Sequence, residues 1–457
     1  MGITPERSFD YEYTKKIADN FIKKINNRIT FSTSCCVHDD FPTYVTYVKN
    51  KDSKLITRGN GKGIGVQSEL SSIFEAIEHT FYESYFQKNI MHWKGVKRRN
   101  FQKVITNCRE YFKGNPYYEN IKNYKKPMMI PCKRFKNLFT KKALDVPLYM
   151  YGPSYPFPAL NVSDAVFVNS VYYKHNKLEG CFYRGDSEER YKDLLQSLKY
   201  CSSVGGASGI DEDETILHAL NEVIERDTTS EFLLKSVVHN INDNYAIVKN
   251  ESIVGENKSI IDYIESNYGI KIIIVDITGE IGIPTIMVFD LNNKFGKETL
   301  LTGYGTSLSI NYAIQRALLE YKQTIDLVLY DNTLPKDDNY KDVLNSNCVP
   351  EFFKKIYYFD QKELVMKIKK VSEEELFQRY QLDDYCANSK TMLNEVIRRL
   401  KLRKYDVFYN TEVFRCNKNR IYYIKTIIPQ MCDITDPGPL RLPTKRKIEM
   451  IKKEVIS

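Results

Sequence analysis

Three glycine-rich segments, each followed by a helical pattern with paired oxygen-bearing side chains, are the part of this sequence whose spacing could do chemistry. The copies span residues 59–79, 205–226 and 303–323. Their paired positions are Glu75 and Glu78, Glu222 and Glu225, and Glu320 and Gln323. Because residues three apart share one face of a helix, each copy presents two side-chain oxygens next to each other. One such pair is usually a solvated helix face, but three copies in the same order indicate a shared site.

The residues between the acidic positions are mostly apolar, which predicts that these helices pack against a core. If the helices converge, the five glutamates meet, and the nearby Arg226 and Arg316 cannot neutralise them all. Unpaired buried charge is costly, so a further cation is needed. Mg²⁺ binds carboxylate oxygen and usually keeps phosphate or water as its other ligands, while glycine-rich turns and helix N-termini favour phosphate. The pattern therefore predicts a site for a nucleoside triphosphate with Mg²⁺.

Other common ligand-binding motifs are absent from the sequence. No Gly-x-x-x-x-Gly-Lys-Ser/Thr loop occurs, and no dinucleotide fingerprint lies in a strand–helix–strand unit. The six histidines and ten cysteines show no spacing typical of zinc ligands. The predicted site therefore depends on the carboxylates of the three motifs.

The elements that must position the motifs follow from hydrophobic periodicity. Residues 8–30 predict an amphipathic helix, and the alternation over 41–48 predicts a strand at the edge of a sheet. Further strands are predicted at 272–275, 283–289 and 421–425. The stretch 331–419 is mostly helical in pattern and highly charged. This mixture is typical of an α/β or an α+β fold.

Composition limits the classes of protein to consider. The chain has 457 residues, of which 42% are hydrophobic and 27% charged, as in folded globular proteins. Its net charge, 67 − 58 = +9, favours an anionic ligand but is too diffuse to indicate nucleic acid. No apolar run approaches the roughly 20 residues of a membrane span. With no Cys-x-x-Cys pair and no signal-peptide pattern, we expect a cytoplasmic protein with reduced thiols and no membrane partner.

The three motifs resemble those of the YcaO family, ATP-dependent enzymes that modify backbone amides of peptides. The matching residues are Lys62, Ser72, Glu75 and Glu78 in the first motif; Ser208, Glu214 and the run 218–227 in the second; and Arg316, Glu320 and Gln323 in the third. The run 218–227 is the most specific match. The likeness covers roughly 31–95 and 160–330.

The resemblance implies an α+β fold with mixed sheets and helices that converge on an ATP site. It implies that Mg²⁺ is bound by Glu75, Glu78, Glu222 and Glu225. Contacts to phosphate, nucleoside or the metal shell are implied for Lys62, Ser72, Ser208, Glu214, Arg226, Arg316, Glu320 and Gln323, and Arg226, Arg316 and Gln323 are the implied catalytic residues. Two positions depart from the family pattern. His79 stands where the family usually has arginine, and Val204 where a polar residue is common.

The resemblance also implies an activity. ATP phosphorylates the oxygen of a backbone amide in a ribosomal precursor peptide, a nucleophile adds to the carbonyl carbon, and phosphate leaves. A neighbouring Cys, Ser or Thr then gives a thiazoline or oxazoline, the product we expect here, as in bacteriocin-type peptides. External sulfide would give a thioamide and an amine an amidine. Cyclodehydratases of the family often end in Pro-x-Pro-x-Pro, which Pro437-Gly438-Pro439 matches only in part.

We expect four regions in the chain. They are 1–95 with the first motif, a basic, proline-rich insertion over 96–160, a core over 161–330 with the second and third motifs, and a helical region with a final strand over 331–457. The basic run of the insertion fits either a solvated face or a peptide-docking surface. No fused leader-binding domain is evident. The expected partners are therefore the precursor peptide, a separate ThiF-like or peptide-clamp protein, and a flavin-dependent azoline dehydrogenase. A non-catalytic scaffold and an ATP-dependent amide ligase are the alternatives.

Overall fold

The computed structural model describes residues 5–83, 90–91, 94–122, 129–150, 202–296, 300–330, 351–382, 385–416, 418–435 and 441–456. The helices within these ranges are α1 (Tyr11–Ile25), α2 (Val66–Tyr82), α3 (Phe101–Phe112), α4 (Pro116–Ile121), α5 (Glu212–Phe232), α6 (Gly255–Tyr268), α7 (Ile310–Tyr330), α8 (Glu351–Tyr357), α9 (Gln361–Lys367), α10 (Glu373–Tyr380), α11 (Ser389–Leu402) and α12 (Lys445–Ile456). The strands are β1 (Ile29–Val37), β2 (Thr43–Asn50), β3 (Leu55–Gly61), β4 (Lys97–Asn100), β5 (Met129–Asn137), β6 (Ala143–Pro147), β7 (Gly206–Gly209), β8 (Ala246–Val248), β9 (Ile272–Asp276), β10 (Thr285–Asp290), β11 (Thr302–Thr306), β12 (Lys369–Val371), β13 (Phe408–Cys416) and β14 (Asn419–Ile427).

The described strands form three sheets. The first has the order β1-β2-β3, and the second, of five strands, has the order β11-β10-β9-β8-β12. The third, of six strands, has the order β4-β5-β13-β14-β7, with β6 paired to β5. Among the described pairs only β8 with β12 is parallel. Largely antiparallel sheets combined with helices confirm the predicted α+β class.

Each of the three motifs is a strand followed at once by a helix. Strand β3 leads into α2, β7 into α5 and β11 into α7. Each of these strands belongs to a different sheet, and among the described strands each stands at one end of its sheet. The three motif helices therefore start from the edges of three separate sheets.

Each motif helix contacts a strand of another motif's sheet, so that the contacts connect all three sheets in a closed cycle. Helix α2 contacts β7, α5 contacts β11, and α7 contacts β1. At the first of these contacts the Ser208 hydroxyl donates to the carbonyl oxygen of Phe74 at 2.7 Å. On α7 the buried Lys322 ammonium binds Asp326 of the same helix at 2.6 Å and Asp39, just after β1, at 2.9 Å. Because each helix packs against the next unit, the three motifs are held in fixed relative positions.

Glycines in β3 and β11 let these strands cross their helices at backbone contact. A β-carbon on Gly59 would lie 2.2 Å from the backbone nitrogen of Ala76. One on Gly305 would lie 2.1 Å from the carbonyl oxygen of Ala313. The sequence interpretation assigned the glycine-rich segments to phosphate binding. For these glycines the structure corrects it, because they lie inside strands and their lack of a side chain serves strand–helix packing.

Three apolar cores anchor the motif helices. In the first, α1 and α2 cover the three- and six-stranded sheets, and the buried Phe81 of α2 stacks on Tyr423 of β14 with ring centres 5.2 Å apart. In the second, α6 and α7 pack against the five-stranded sheet through residues such as Ile260, Ile274 and Leu318. In the third, α5 packs against α11 through residues such as Leu220 and Val396. The apolar stripe of each motif helix thus faces a core, which leaves its acidic face for the site.

Several predicted elements are found at shifted positions. The predicted helix 8–30 is shorter, because α1 ends at Ile25 and β1 begins at Ile29. The prediction that 41–48 lies at a sheet edge is wrong, since β2 pairs with β1 on one side and β3 on the other. Strand β14 confirms the strand predicted at 421–425. Its partner β13 lies in a stretch predicted to be mostly helical, where charged side chains obscure the alternation.

The division into four regions stays a prediction. Strands β4, β5 and β6, all within the proposed insertion 96–160, join the same sheet as β7 and β14. Residues 151–201 and 331–350 lie outside the described residues, and so does the Pro437-Gly438-Pro439 segment. No helix in the described ranges is long and apolar enough to cross a bilayer.

Candidate functional site

The carboxylates of Glu75 and Glu78 lie one turn apart on α2. Burial raises the pKa of Glu75 to about 7, and the charges of Glu320 and Glu222 add to the effect, while Lys62 opposes it. Burial and the charge of Glu222 raise the pKa of Glu78 well above its ordinary value. The Glu75 side chain nevertheless keeps 33% of its surface exposed. The pair therefore faces a cleft and not the packed core.

Helix α5 contributes the second pair, Glu222 and Glu225. The backbone N–H of Gly205 donates to the Oε2 atom of Glu222 at 2.9 Å. Burial raises the pKa of Glu222 although the charge of Arg226 opposes the shift. Glu225 is only 5% exposed, and burial together with the charge of Glu320 raises its pKa to about 7. The carboxylates of α5 thus interact with those of α2 and α7.

The third motif meets the first through an ion pair. Lys62, in the turn after β3, donates to the Glu320 carboxylate of α7. Arg316 lies one turn before Glu320, and the buried Gln323 one turn after it. The charges of Lys62 and Arg316 both lower the pKa of Glu225. Side chains from all three motifs therefore meet at one place, although their individual roles stay predictions.

Three side chains of the site carry buried donors that no described residue pairs with. The Nε atoms of Arg226 and Arg316 and the Nε2 atom of Gln323 have no hydrogen-bond partner among the residues that the structure describes. Each unmet buried donor costs about 1–3 kcal/mol. Other atoms of the two arginine side chains do have contacts. Arg226 Nη1 donates to Thr435 Oγ1 at 3.3 Å, and the Arg316 guanidinium lies 5.9 Å from the Tyr312 ring centre. An anionic ligand would satisfy the unmet donors.

The donor set fits Mg²⁺ with a polyphosphate. Within the described residues no three His, Cys, Asp or Glu side chains are close enough to hold one ion. The glutamates instead approach as pairs, and Mg²⁺ commonly takes one or two carboxylates and completes its shell with phosphate and water. Burial is the main cause of their raised pKa values, and nearby cations such as Lys62 and Arg226 offset it only in part. The predicted metal ligands Glu75, Glu78, Glu222 and Glu225 would thus hold the metal beside the unmet donors.

Two predicted contact residues, Ser72 and Ser208, already have partners within the fold. The Ser72 hydroxyl is fully buried, lies 2.8 Å from Thr46 Oγ1 and donates to the carbonyl oxygen of Glu69 at 2.8 Å. The Ser208 hydroxyl donates to Phe74, as described above. In this structure both hydroxyls join α2 to its neighbouring strands, and their predicted contact with a ligand stays a prediction.

The first described residues of the chain lie against the site, which the sequence analysis missed. Arg7 forms an ion pair with Glu214, another predicted contact residue. Glu6 is 5% exposed and accepts a hydrogen bond from Asn221 Nδ2 at 3.1 Å. Burial raises the pKa of Glu6 although the charge of Arg316 opposes the shift. No local pattern could have revealed these contacts, because the partners are some 200 or more positions away along the chain.

His218 is a further site residue that the sequence analysis quoted but gave no role. It lies on α5 one turn before Glu222. Burial and the charges of Arg316, Arg7 and Lys62 hold its pKa well below the ordinary value. The imidazole is therefore neutral at physiological pH and keeps one nitrogen as an acceptor.

Residues near the C-terminal end of the described chain complete the surroundings of the site. Lys425 on β14 donates to the carbonyl oxygens of Ser202 at 2.7 Å and Val204 at 2.8 Å, and its charge lowers the pKa of Glu222. Although burial acts to raise it, nearby guanidinium groups, including that of Arg226, hold the pKa of Asp433 below its ordinary range. These residues were missed because they follow no repeated motif.

His79 is neutral in this structure. Burial lowers its pKa to about 4, and its Nδ1 atom lies 2.6 Å from the carbonyl oxygen of Arg58. Its Nε2 atom is 4.0 Å from Glu75. Where the family usually places a fixed positive charge, this chain therefore has an uncharged side chain.

A comparison with protein families identifies the chain. The model of the YcaO cyclodehydratases, described as ATP- and Mg²⁺-binding, matches residues 60–432. Because this range covers well over half of the 457 residues, the chain belongs to the YcaO family. The match confirms the predicted class, an ATP-dependent enzyme family of the cyclodehydratase type, and the predicted cofactors, ATP and Mg²⁺.

Solved structures share the fold at low sequence identity. A heterocyclase in complex with substrate and cofactor has a TM-score of 0.62 at 16% identity, over 95% of this chain and 54% of that one. YcaO from Methanopyrus kandleri, bound with AMPPCP and Mg²⁺, has a TM-score of 0.59 at 13% identity, over 96% of both chains. The E. coli microcin synthetase McbBCD complex has a TM-score of 0.53 at 14% identity, over 88% of both. At these identities the likeness shows the fold alone.

A curated relative covers only part of the chain. An uncharacterized protein of Methanothermobacter thermautotrophicus is 30% identical over 159 residues, which is 34% of this chain and 36% of that protein. The chain thus spans about half of the heterocyclase and about a third of this relative.

Proposed function

We propose that this chain is an ATP-dependent YcaO-type enzyme that phosphorylates a backbone amide oxygen of a ribosomal precursor peptide. Cyclodehydration of Cys, Ser or Thr then forms a thiazoline or oxazoline. The observation that carries the proposal is the convergence of three acidic helices around buried guanidinium and amide donors without partners. Membership in the YcaO family supports the peptide as substrate class.

In this proposal ATP supplies the phosphoryl group that activates the amide oxygen. Phosphoryl transfer needs chiefly positioning and neutralisation of charge, which fixed cations and metal ligands provide. The proposed metal ligands are Glu75, Glu78, Glu222 and Glu225. The proposed contacts to nucleotide and metal shell are Lys62, Ser72, Ser208, Glu214 and Glu320. Arg226, Arg316 and Gln323 are proposed to contact the transferring phosphate, because their unmet donors suit its oxygens.

Partner proteins belong to the proposal as well. We infer that a ThiF-like or peptide-clamp protein delivers the precursor and that a flavin-dependent dehydrogenase oxidises azolines to azoles. A microcin synthetase with the same fold acts within a complex, which supports an assembly of this kind.

Mass spectrometry of a co-expressed precursor peptide rich in Cys, Ser and Thr tests the reaction. We expect loss of one water for each residue cyclised, dependent on ATP and Mg²⁺. Exchange of oxygen for sulfur would instead indicate a thioamide, and incorporation of an amine an amidine. A peptide that binds but keeps its mass, without ATP turnover, would contradict the proposal and favour a scaffold. Two substrates joined by a new bond would indicate a ligase.

Two matched variants on α2 test whether ATP turnover depends on the candidate site. Glu75→Ala should abolish ATP turnover, because it removes a proposed metal ligand. Glu69→Gln on the same helix should retain it, because Glu69 pairs with Lys15 outside the site at 2.6 Å. Turnover is measured as phosphate release, and the fold of each variant is checked by circular dichroism. Normal turnover in Glu75→Ala would refute the metal-ligand assignment.

A further inference from the structure

Lys447 of α12 is buried against α5, directly behind the candidate site. It is 1% exposed, and its ammonium donates to Asp227 Oδ2 at 2.9 Å and to Glu231 Oε2 at 2.8 Å. Lys235, four residues after Glu231 along the chain, binds Glu231 Oε1 and Glu454 Oε1, each at 2.8 Å. A continuous network of buried charges thus attaches the C-terminal helix to the motif helix α5.

Asp227 links this network to the chain segment that follows β14. It is the residue after Arg226, and it is 1% exposed. While its Oδ2 atom accepts from Lys447, its Oδ1 atom accepts from the backbone N–H of Cys432 at 2.9 Å. One turn later the Ser230 hydroxyl accepts from the backbone N–H of Ile434 at 3.0 Å. The segment 432–435 is therefore fastened to α5 at two adjacent points.

The same segment carries two residues that act on the Arg226 guanidinium. Thr435 Oγ1 accepts from Arg226 Nη1 at 3.3 Å, and among the charges that act on Arg226 that of Asp433 has the largest effect on its pKa. The position of this guanidinium therefore depends on where the segment lies. Lys447 forms no hydrogen bond or ion pair with Arg226 among the described contacts. Its ammonium neutralises the Asp227 carboxylate, which holds the segment 432–435 against α5.

Removing Lys447 would leave the Asp227 carboxylate buried without a cation among the described residues. Because an unpaired buried charge is costly, this carboxylate would turn toward water. The movement would take its Oδ1 atom away from the backbone N–H of Cys432 and break the hydrogen bond that fastens the segment. Glu231 would keep its ion pair with Lys235, so the loss of Lys447 affects Asp227 more than Glu231.

We infer that Lys447 is a positioning residue of the nucleotide site, acting through Asp227 and the segment 432–435 to set the Arg226 guanidinium. The inference rests on the proposed function only in assigning phosphate contact to Arg226. Lys447 lies outside the residues 60–432 that match the family model, so this device belongs to the C-terminal part of this chain.

Hydrogen exchange in the ligand-free full-length protein is the first test. Lys447→Met should speed amide exchange of the peptide that covers 432–435. The matched control is Lys235→Met, which removes a buried lysine of the same network that has no recorded contact with Asp227. This control should leave exchange of the segment unchanged.

Calorimetric affinity for AMPPCP with Mg²⁺ is the second test. We expect binding about tenfold weaker in Lys447→Met and near the wild-type value in Lys235→Met. The double variant D227N/K447M should recover affinity, because the amide introduced at position 227 carries no charge and still accepts from Cys432. D227A/K447M lacks that acceptor and should stay weak. This pair decides the matter even if Lys447→Met alone fails to fold.

The outcomes separate the inference from the proposed function. Equal loss of affinity in Lys447→Met and Lys235→Met, or equal affinity in the two double variants, would overturn the positioning role. Unchanged exchange of 432–435 in Lys447→Met would do the same. A wild-type protein that does not bind AMPPCP would instead contradict the proposed function, while the exchange experiment still decides whether Lys447 controls the segment.

Discussion

At the residue scale, Glu225 shows that a side chain of the site lowers the stability of the ligand-free protein. Its carboxylate is buried on α5 near Glu320, and its pKa is raised to about 7. A glutamate with its ordinary pKa would be fully ionised in the unfolded chain at neutral pH. Folding without a metal therefore forces a charged group into surroundings that disfavour its charge.

Glu225→Gln should stabilise the ligand-free protein. Because the folded state raises the pKa, it binds the proton more tightly than the unfolded state does. The stability of the wild type must then fall as pH rises from about 4.5 to 7. The shift corresponds to an upper limit of about 3 kcal/mol. Denaturant unfolding should show the variant about 1–3 kcal/mol more stable near pH 8 and nearly equal to the wild type near pH 4.5.

The same variant should bind AMPPCP with Mg²⁺ at least tenfold more weakly, because an amide replaces an anionic ligand. Glu69→Gln again provides the control and should show neither effect. A variant less stable than the wild type near pH 8 would contradict the view that Glu225 is strained in the absence of a cation.

The glutamates of the site could be predicted from the sequence, while several of their neighbours could not. A spacing of three places Glu75 with Glu78 on any helix, whatever surrounds it. His218, one turn before Glu222 on the same helix, could have been included on the same ground. The positions of Glu6 and Lys425 in the site depend on how distant segments pack. Such contacts leave no periodic signal in the sequence.

At the scale of elements, the glycines of β3 and β11 repeat one packing device. Each strand lies so close to its helix that a β-carbon would collide with helix backbone. The repetition was visible in the sequence, but its cause was not, because a glycine before a helix fits a ligand-binding turn and a close strand–helix contact equally well.

Gly305→Ala should destabilise the protein by roughly 3 kcal/mol or more, since the added methyl group would meet the Ala313 carbonyl oxygen at 2.1 Å. Gly95→Ala is the control. Gly95 has a φ of +77°, and a β-carbon there would meet no atom of the described residues within 4 Å, so only backbone strain of about 1–2 kcal/mol is expected. Thermal and denaturant unfolding measure both. If Gly305→Ala kept its stability but lost affinity for AMPPCP, the phosphate interpretation of this glycine would be restored.

At the scale of the whole molecule, three sheets share one site. The α+β class could be anticipated from the mixture of patterns together with the motif resemblance. The ring of contacts from α2 to β7, α5 to β11 and α7 to β1 could not, because no pattern within one segment records which sheet its helix will meet.

AMPPCP with Mg²⁺ should raise the stability of the entire chain, because the ligand joins helices that belong to different sheets. At one hundred times its dissociation constant the gain should be about 2.7 kcal/mol. The melting temperature is followed by calorimetry with and without Mg²⁺. AMPPCP alone should have little effect, and the binding at least tenfold weaker that we expect of Glu225→Gln should lower the gain to about 1.4 kcal/mol or less at the same ligand concentration. A shift of equal size without the metal would speak against metal-bridged binding.

The edge position of the three motif strands has a consequence for biosynthesis. Strand β7 gains its neighbour only when β14, which ends at Ile427, has left the ribosome. Until then the motif helices α2, α5 and α7 are already present, but β7, the strand that leads into α5, lacks the sheet that it joins. We therefore expect stable nucleotide binding only in polypeptides whose translation has advanced beyond that point.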